Sequence, residues 1–452
     1  MVAGFEGCTF TDTPESTEKS SENESNSERE TTDRMNDFEF DNDDAASYGG
    51  NDREERLRRI RRAILRGERM PESPDSELLE GAVDQCIAEG SYDEALRLCD
   101  HWMAFAPYDH AAWLRKGVVL TALGRGEEAL EALDRSDALG PGDIEVLIQR
   151  GIAWNLLGDS QRALAELERG RERDPENPEV LFNYALALEG ADRVEEALGI
   201  FRTLTPRKEY AVDAWYEIGV CYDLLGDYRK AIGAYDRHLD LEPYNANAWY
   251  NRGIALSRLG RFRRANESYD WALTIIEAFP DAWYNKGNNL AALGRLDEAI
   301  DCYRTVLKYE PGDAPLWNNL GIALEEARRW DEGIEAFRRS VEIEPHHYGA
   351  WFGLAACFDG ADRFDEALDA YDRAAAIEAG EADLWMSRGD LLFSMGRLDE
   401  AIASFETARA LTPDDAETIG AIAAARFRNG DHPEAVALYE RTIALDPDWG
   451  RA

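Results

Sequence analysis

The sequence predicts an all-α fold, a solenoid built from antiparallel helix pairs. Three observations carry that expectation: a repeat of constant length, columns of small residues within it, and apolar residues at helical spacing on both sides of a short turn. The stretch Ala248 to Phe262, AWYNRGIALSRLGRF, returns at Ala282 to Leu296 as AWYNKGNNLAALGRL, with nine of fifteen positions identical and an offset of 34 residues. The same step runs the length of the chain. Its anchors are Leu79, Trp113, Leu147, Leu181, Trp215, Trp249, Trp283, Trp317, Trp351, Trp385 and Ile419, eleven registers without insertion or deletion.

Within each unit the first segment carries the anchor and, four residues later in all but the first unit, where Val83 stands, a small residue such as Gly253, Gly287 or Gly321. Sixteen after the anchor stands alanine or glycine, as at Ala265 and Ala299. Twenty after it comes an apolar knob, aromatic from Phe201 onward. Large residues beside obligatory small ones are what two helices need to cross closely. A turn such as LGRL, LGDY or LGRF separates the two segments, and proline follows the second in eight of the eleven units, as at Pro107, Pro243 and Pro447. Proline there ends one helix and opens the next.

Tryptophan, glycine, alanine, an aromatic and proline in these slots resemble the tetratricopeptide repeat. The resemblance covers roughly residues 76–449 and implies a right-handed α-superhelical solenoid whose first helices line a groove. It departs from the pattern locally: one unit offers Pro206 in place of the expected slot, another Pro280, and a third Ala379. Three regions are expected: an acidic disordered tail over 1–50, a basic amphipathic helix and linker over 51–75, and eleven repeats over 76–449.

Charge narrows the function. The net charge is −41. Residues 1–50 hold fourteen acids and three bases, residues 51–70 eight arginines and four acids, and the repeats keep −32. So negative an array repels phosphate backbones and anionic membranes, which argues against nucleic acid and membrane as ligands of the repeats. Low apolar content leaves residues 1–50 too little burial to offset ordering entropy. Leu57, Ile60, Ile64 and Leu65 share one face of the arginine-rich helix, which is expected to cover the first repeat, with docking onto an acidic array as its functional alternative. At the other end, Val436, Leu438, Tyr439 and Ile443 are expected to be only partly covered, so self-association through the ends is a further reading.

No phosphate loop, GxGxxG, HExxH or GxSxG motif is present, and no catalytic or metal-ligating constellation is assigned. His346 and His347, adjacent on a turn, read as solvated residues rather than ligands. Cys8, Cys86, Cys99, Cys221, Cys302 and Cys357 contain no CxxC pair. Five of them fall at apolar helical slots and read as buried thiols in a reduced, cytoplasmic protein. No cofactor is expected.

The candidate site follows from the resemblance, which places the slots just after the anchor in the groove. One after the anchor are Phe182, Tyr216, Tyr250, Tyr284 and Phe352; two after are Asn183, Asn251, Asn285 and Asn319. A carboxamide donates and accepts at once, so spaced amides suit the backbone of an extended peptide, with aromatics supplying apolar contact. The competing reading is that these side chains pack between neighbouring first helices and cap each other. Members that hold acidic chaperone tails use lysine at the one-after slot, where this chain has aromatics, so such tails are not expected ligands. The repeat-packing residues are Trp113, Trp215, Trp249, Gly253, Ala265, Trp283, Gly287, Ala299, Trp317, Gly321, Trp351 and Trp385. The function expected is a noncatalytic scaffold or adaptor that binds an extended, neutral or basic protein segment. The alternative is a substrate-recruiting accessory subunit of an enzyme such as a glycosyltransferase on another chain.

Overall fold

The structure is a computed structural model that describes residues 47–66, 75–447 and Trp449. The tail expected to be disordered lies outside the described residues up to residue 46. Helix α1 spans Ser47–Leu65, and twenty-two helices follow in eleven consecutive pairs. They are α2 (Ser76–Ala88) with α3 (Tyr92–Phe105), α4 (His110–Ala122) with α5 (Gly126–Leu139), α6 (Ile144–Leu156) with α7 (Ser160–Arg173), and α8 (Pro178–Gly190) with α9 (Val194–Leu204). Next are α10 (Ala211–Leu224) with α11 (Tyr228–Leu241), α12 (Ala246–Arg258) with α13 (Phe262–Ile275), α14 (Pro280–Ala292) with α15 (Leu296–Val306), and α16 (Ala314–Glu326) with α17 (Trp330–Ile343). The last are α18 (Tyr348–Gly360) with α19 (Phe364–Ile377), α20 (Ala382–Ser394) with α21 (Leu398–Leu411), and α22 (Ala416–Arg428) with α23 (His432–Leu445). No strand occurs among the described residues.

Chain chemistry sets each boundary. Most first helices start on a side chain that accepts from the opening N–H groups, as Asp109, Asp143, Asn245 and Asp313 do, and each such cap satisfies an orphan donor. His347 belongs to this set: its Nδ1 accepts from Ala350 N at 2.9 Å, so it is a helix cap rather than a free turn residue. The turn inside every pair passes through one left-handed residue eleven after the anchor. It is glycine in eight units, at φ 72° for Gly226 for example, and Asp192, Arg328 and Asp362 in the others.

The units stack into a right-handed α-superhelical solenoid of antiparallel pairs. Each second helix packs on its partner and on the first helix of the next unit. Most first helices also touch the next first helix, as α4 does α6 and α16 does α18, whereas second helices do not pack on one another in that way among the described residues. The layer of first helices is therefore the shorter, inner one. At the start, the segment of α1 from Ile60 buries Ile60 and Ala63, and Arg61 reaches Glu94 Oε2 at 2.6 Å and also pairs with Glu89. At the far end, Val436 and Ile443 on α23 are each 53% exposed.

Close packing within a pair resolves which large residue meets which small one. The large residue that fills the space beside the glycine four after the anchor is the knob of the same unit, leucine at Gly117 and Gly151 and aromatic from Gly219 onward, not the tryptophan anchor. A Cβ built on Gly253 would lie 2.4 Å from Tyr269, on Gly287 2.7 Å from Tyr303, and on Gly321 2.7 Å from Phe337. The tryptophan anchors are half-buried, and all but Trp215 close the turn between units. The indole N–H of Trp249 donates to Pro243 O at 2.9 Å, and Trp113, Trp283, Trp317, Trp351 and Trp385 donate likewise to the carbonyl six residues back. Trp215, which follows the unit with the shifted proline, makes no such bond among the described residues. Ala265 and Ala299 are fully buried.

Candidate functional site

The inner face is the exposed side of the first helices, and the one-after column sits on it half-buried. Each ring leans on the knob of its own unit: Phe182 on Phe201 at 5.5 Å between centroids, Tyr216 on Tyr235 at 6.0 Å, Tyr250 on Tyr269 at 5.9 Å, Tyr284 on Tyr303 at 6.3 Å and Phe352 on Tyr371 at 5.8 Å. Edge and tilted packing holds the rings, and Phe182, Tyr216, Tyr250 and Phe352 each meet a second ring, those of Tyr210, His238, Phe279 and Tyr348.

The asparagines join the units. Asn251 Nδ2 donates to Tyr216 Oη at 3.0 Å, Asn285 Nδ2 to Tyr250 Oη at 3.0 Å, and Asn319 Nδ2 to Tyr284 Oη at 2.9 Å. Asn183 instead bonds back to Glu179 O at 2.9 Å within its own helix. One N–H of each ladder amide is therefore engaged by the protein. Burial pushes the phenols of Tyr216, Tyr250 and Tyr284 up from their ordinary pKa, so they remain neutral.

Carboxylates flank the ladder, and the sequence reading did not single them out. Glu189 on α8 and Glu217 on α10 are half-buried and close enough to repel each other, and Asp213 adds to the field. Burial, then the charges of Glu189 and Asp213, push Glu217 up to about 7. Burial pushes Asp223 up to about 6, against the pull of the Tyr235 hydroxyl that donates to it at 2.9 Å. The thiol of Cys221 lies 3.9 Å from Glu189 Oε2. Among the described residues neither Glu189 nor Glu217 has a cationic partner.

Two units earlier the same face closes on a cation. Arg115, at the slot that Asn251 and Glu217 fill in later units, is held by Glu80 at 3.1 Å, Asp84 at 2.8 Å and Glu145 at 2.5 Å, from the first helices on either side of its own. A guanidinium thus fits between successive first helices with three carboxylates from the two flanking units around it. At α8 and α10 comparable carboxylates stand without one.

No group of three or more histidine, cysteine or acidic residues is arranged to hold a metal among the described residues. The five described cysteines are free and buried. No described helix is long and apolar enough to cross a membrane.

The paired helices, the fixed period and the groove-side ladder define a helical-repeat protein. Tetratricopeptide repeat models match residues 87–148, 144–169, 157–211, 212–245, 250–301, 284–347, 324–391 and 380–448. The chain belongs to the tetratricopeptide repeat family. No curated protein matches it. Similar solved structures include MamA from Desulfovibrio magneticus RS-1, 22% identical, covering 38% of this chain and 96% of that one at a TM-score of 0.36. YrrB, a TPR protein with an unusual peptide-binding site, is 21% identical over 46% of this chain and 98% of its own, at 0.37. The APC/C hetero-tetramer Cut9-Hcn1 is 14% identical over 90% of this chain and 93% of the other, at 0.39.

Proposed function

We propose that the protein is a noncatalytic cytoplasmic scaffold that holds an extended protein segment along its first-helix face, and that the segment is basic where it passes α8 and α10. The observation that carries this reading is the contrast between two stations of one face. Around Arg115 three carboxylates are already neutralised by a guanidinium from the chain itself, and around Glu217 comparable carboxylates are not. A cation brought by a partner relieves that repulsion, and the half-buried setting raises its worth above that of a surface pair. Beyond this station the ladder of Asn251, Asn285 and Asn319 offers amide oxygens and N–H groups at one-unit intervals, suited to peptide groups rather than to side chains.

Affinity capture with mass spectrometry tests the reading, comparing wild type with Glu189→Gln/Glu217→Gln and with Asn251→Ala/Asn285→Ala/Asn319→Ala. The scaffold reading predicts partners that wild type recovers at low salt and loses as salt rises, and that both variants recover poorly. Equal recovery by wild type and both variants moves the site off this face.

A further inference from the structure

One joint of the array carries a buried polar pair at slots that are apolar in the joints on either side. Seventeen residues after the anchor stands leucine, isoleucine or valine in ten units and Asn266 in the remaining one. Six after the anchor, the slot on the following first helix reads alanine, cysteine, valine or leucine, with Gln85 in the first unit and Asn289 as the other amide. The two odd residues meet. Asn289 Nδ2 donates to Asn266 Oδ1 at 3.1 Å and to Ser257 Oγ at 2.8 Å, and Ser257 Oγ lies 3.2 Å from Tyr269 Oη. Asn266 and Asn289 are 6% and 5% exposed, so this network is buried between α13 and α14.

The network is incomplete. Asn266 Nδ2 has no hydrogen-bond partner, and a buried donor without one disfavours the closed state. In the joints on either side, the same two slots hold Ile232 with Ala255, and Ile300 with Ala323, all buried and apolar. Apolar contact persists beside the pair, where Ala265, Tyr269 and Leu273 of α13 share a buried cluster with Ala282 of α14, and a second cluster begins further along α14 at Leu290.

We propose that the joint between α13 and α14 is a hinge built into the array: the Asn266–Asn289 pair weakens this interface, so it opens while its neighbours stay closed. In a repeat array each unit is held chiefly by its neighbours, so one weak interface divides the stack without unfolding either part. The rung from Asn285 to Tyr250 crosses the same joint, and opening separates it.

Hydrogen exchange read by mass spectrometry on the full chain tests the hinge. Wild-type peptides from α13 and α14 are expected to exchange at least tenfold faster than those from α11 and α12. Asn266→Ile/Asn289→Ala, which installs the apolar residues of the neighbouring joints, is expected to bring the two rates together. Equal rates in wild type overturn the proposal, as does a double variant that folds by circular dichroism and leaves the difference intact. If the variant does not fold, the wild-type comparison alone decides.

Discussion

Asn285 Nδ2 and Tyr250 Oη lie 3.0 Å apart, a hydrogen bond between residues separated by one repeat plus one position. The bond recurs from Asn251 to Tyr216 and from Asn319 to Tyr284, so three consecutive joints are stitched on the inner face by the same pair of side chains. Tyr250→Phe removes the acceptor and keeps the ring on Tyr269. It is expected to cost about 0.5–1.5 kcal/mol in urea unfolding, and a double-mutant cycle with Asn285→Ala should show coupling of similar size. Additive losses would mean that the bond does not tie the units together.

Glycines in the helices divide into two kinds. At Gly219 a new methyl would meet Tyr235 at 2.4 Å, whereas at Gly233 nothing lies within 4 Å. Gly219→Ala should destabilise the array by about 1–3 kcal/mol through overpacking. Gly233→Ala should stabilise it by about 0.5–1 kcal/mol, since alanine loses less backbone entropy in a helix. Thermal unfolding distinguishes the signs.

Arg328 occupies the left-handed turn position at φ 56°, where eight other units use glycine. A side chain there costs about 1–2 kcal/mol, while glycine loses more freedom on folding, so Arg328→Gly should yield a net gain of about 0.5 kcal/mol. A lower denaturation midpoint would show that the arginine makes a contact that outweighs its strain.

The groove carboxylates fix a pH dependence with a definite sign. Glu217 titrates near 7 in the folded protein against an ordinary 4.5, so between those values the native state binds more protons than the unfolded chain. Its contribution therefore erodes stability as pH rises from 4.5 to about 7. Glu217→Gln should be stabilising by about 1–2 kcal/mol at pH 8, after allowance for solvent around a half-buried group, and neutral at pH 4. Binding of a basic segment favours the charged carboxylate, so its affinity should increase from pH 6 to pH 8. Chemical denaturation and titration at the two pH values measure both effects.

The architecture was legible because it is written eleven times. Repetition made the helix pairs, the turn position and the small-residue columns visible without any single residue being decisive. The partner of each glycine was not legible, because the anchor and the knob are both large and spacing does not say which side chain turns inward. Half of the ladder could be read: Asn251 and Tyr216 stand out as a pair once a bond one position longer than the repeat is sought. The carboxylates of α8 and α10 were hidden by abundance, since 91 acids make any acidic pair unremarkable until burial and the lack of a cation set Glu189 and Glu217 apart. Asn266 and Asn289 were visible as exceptions to their columns, but their meeting required the fold.

Site-directed photo-crosslinking tests the scaffold most directly, with a benzophenone amino acid placed in turn at Tyr216, Tyr250, Tyr284 and, on the second-helix side, at the half-exposed Trp271. The account predicts crosslinks to a shared protein partner from the three first-helix positions, lost on addition of salt, and none to that partner from position 271. Crosslinks to the partner from 271 alone, with the first-helix positions silent, would contradict it.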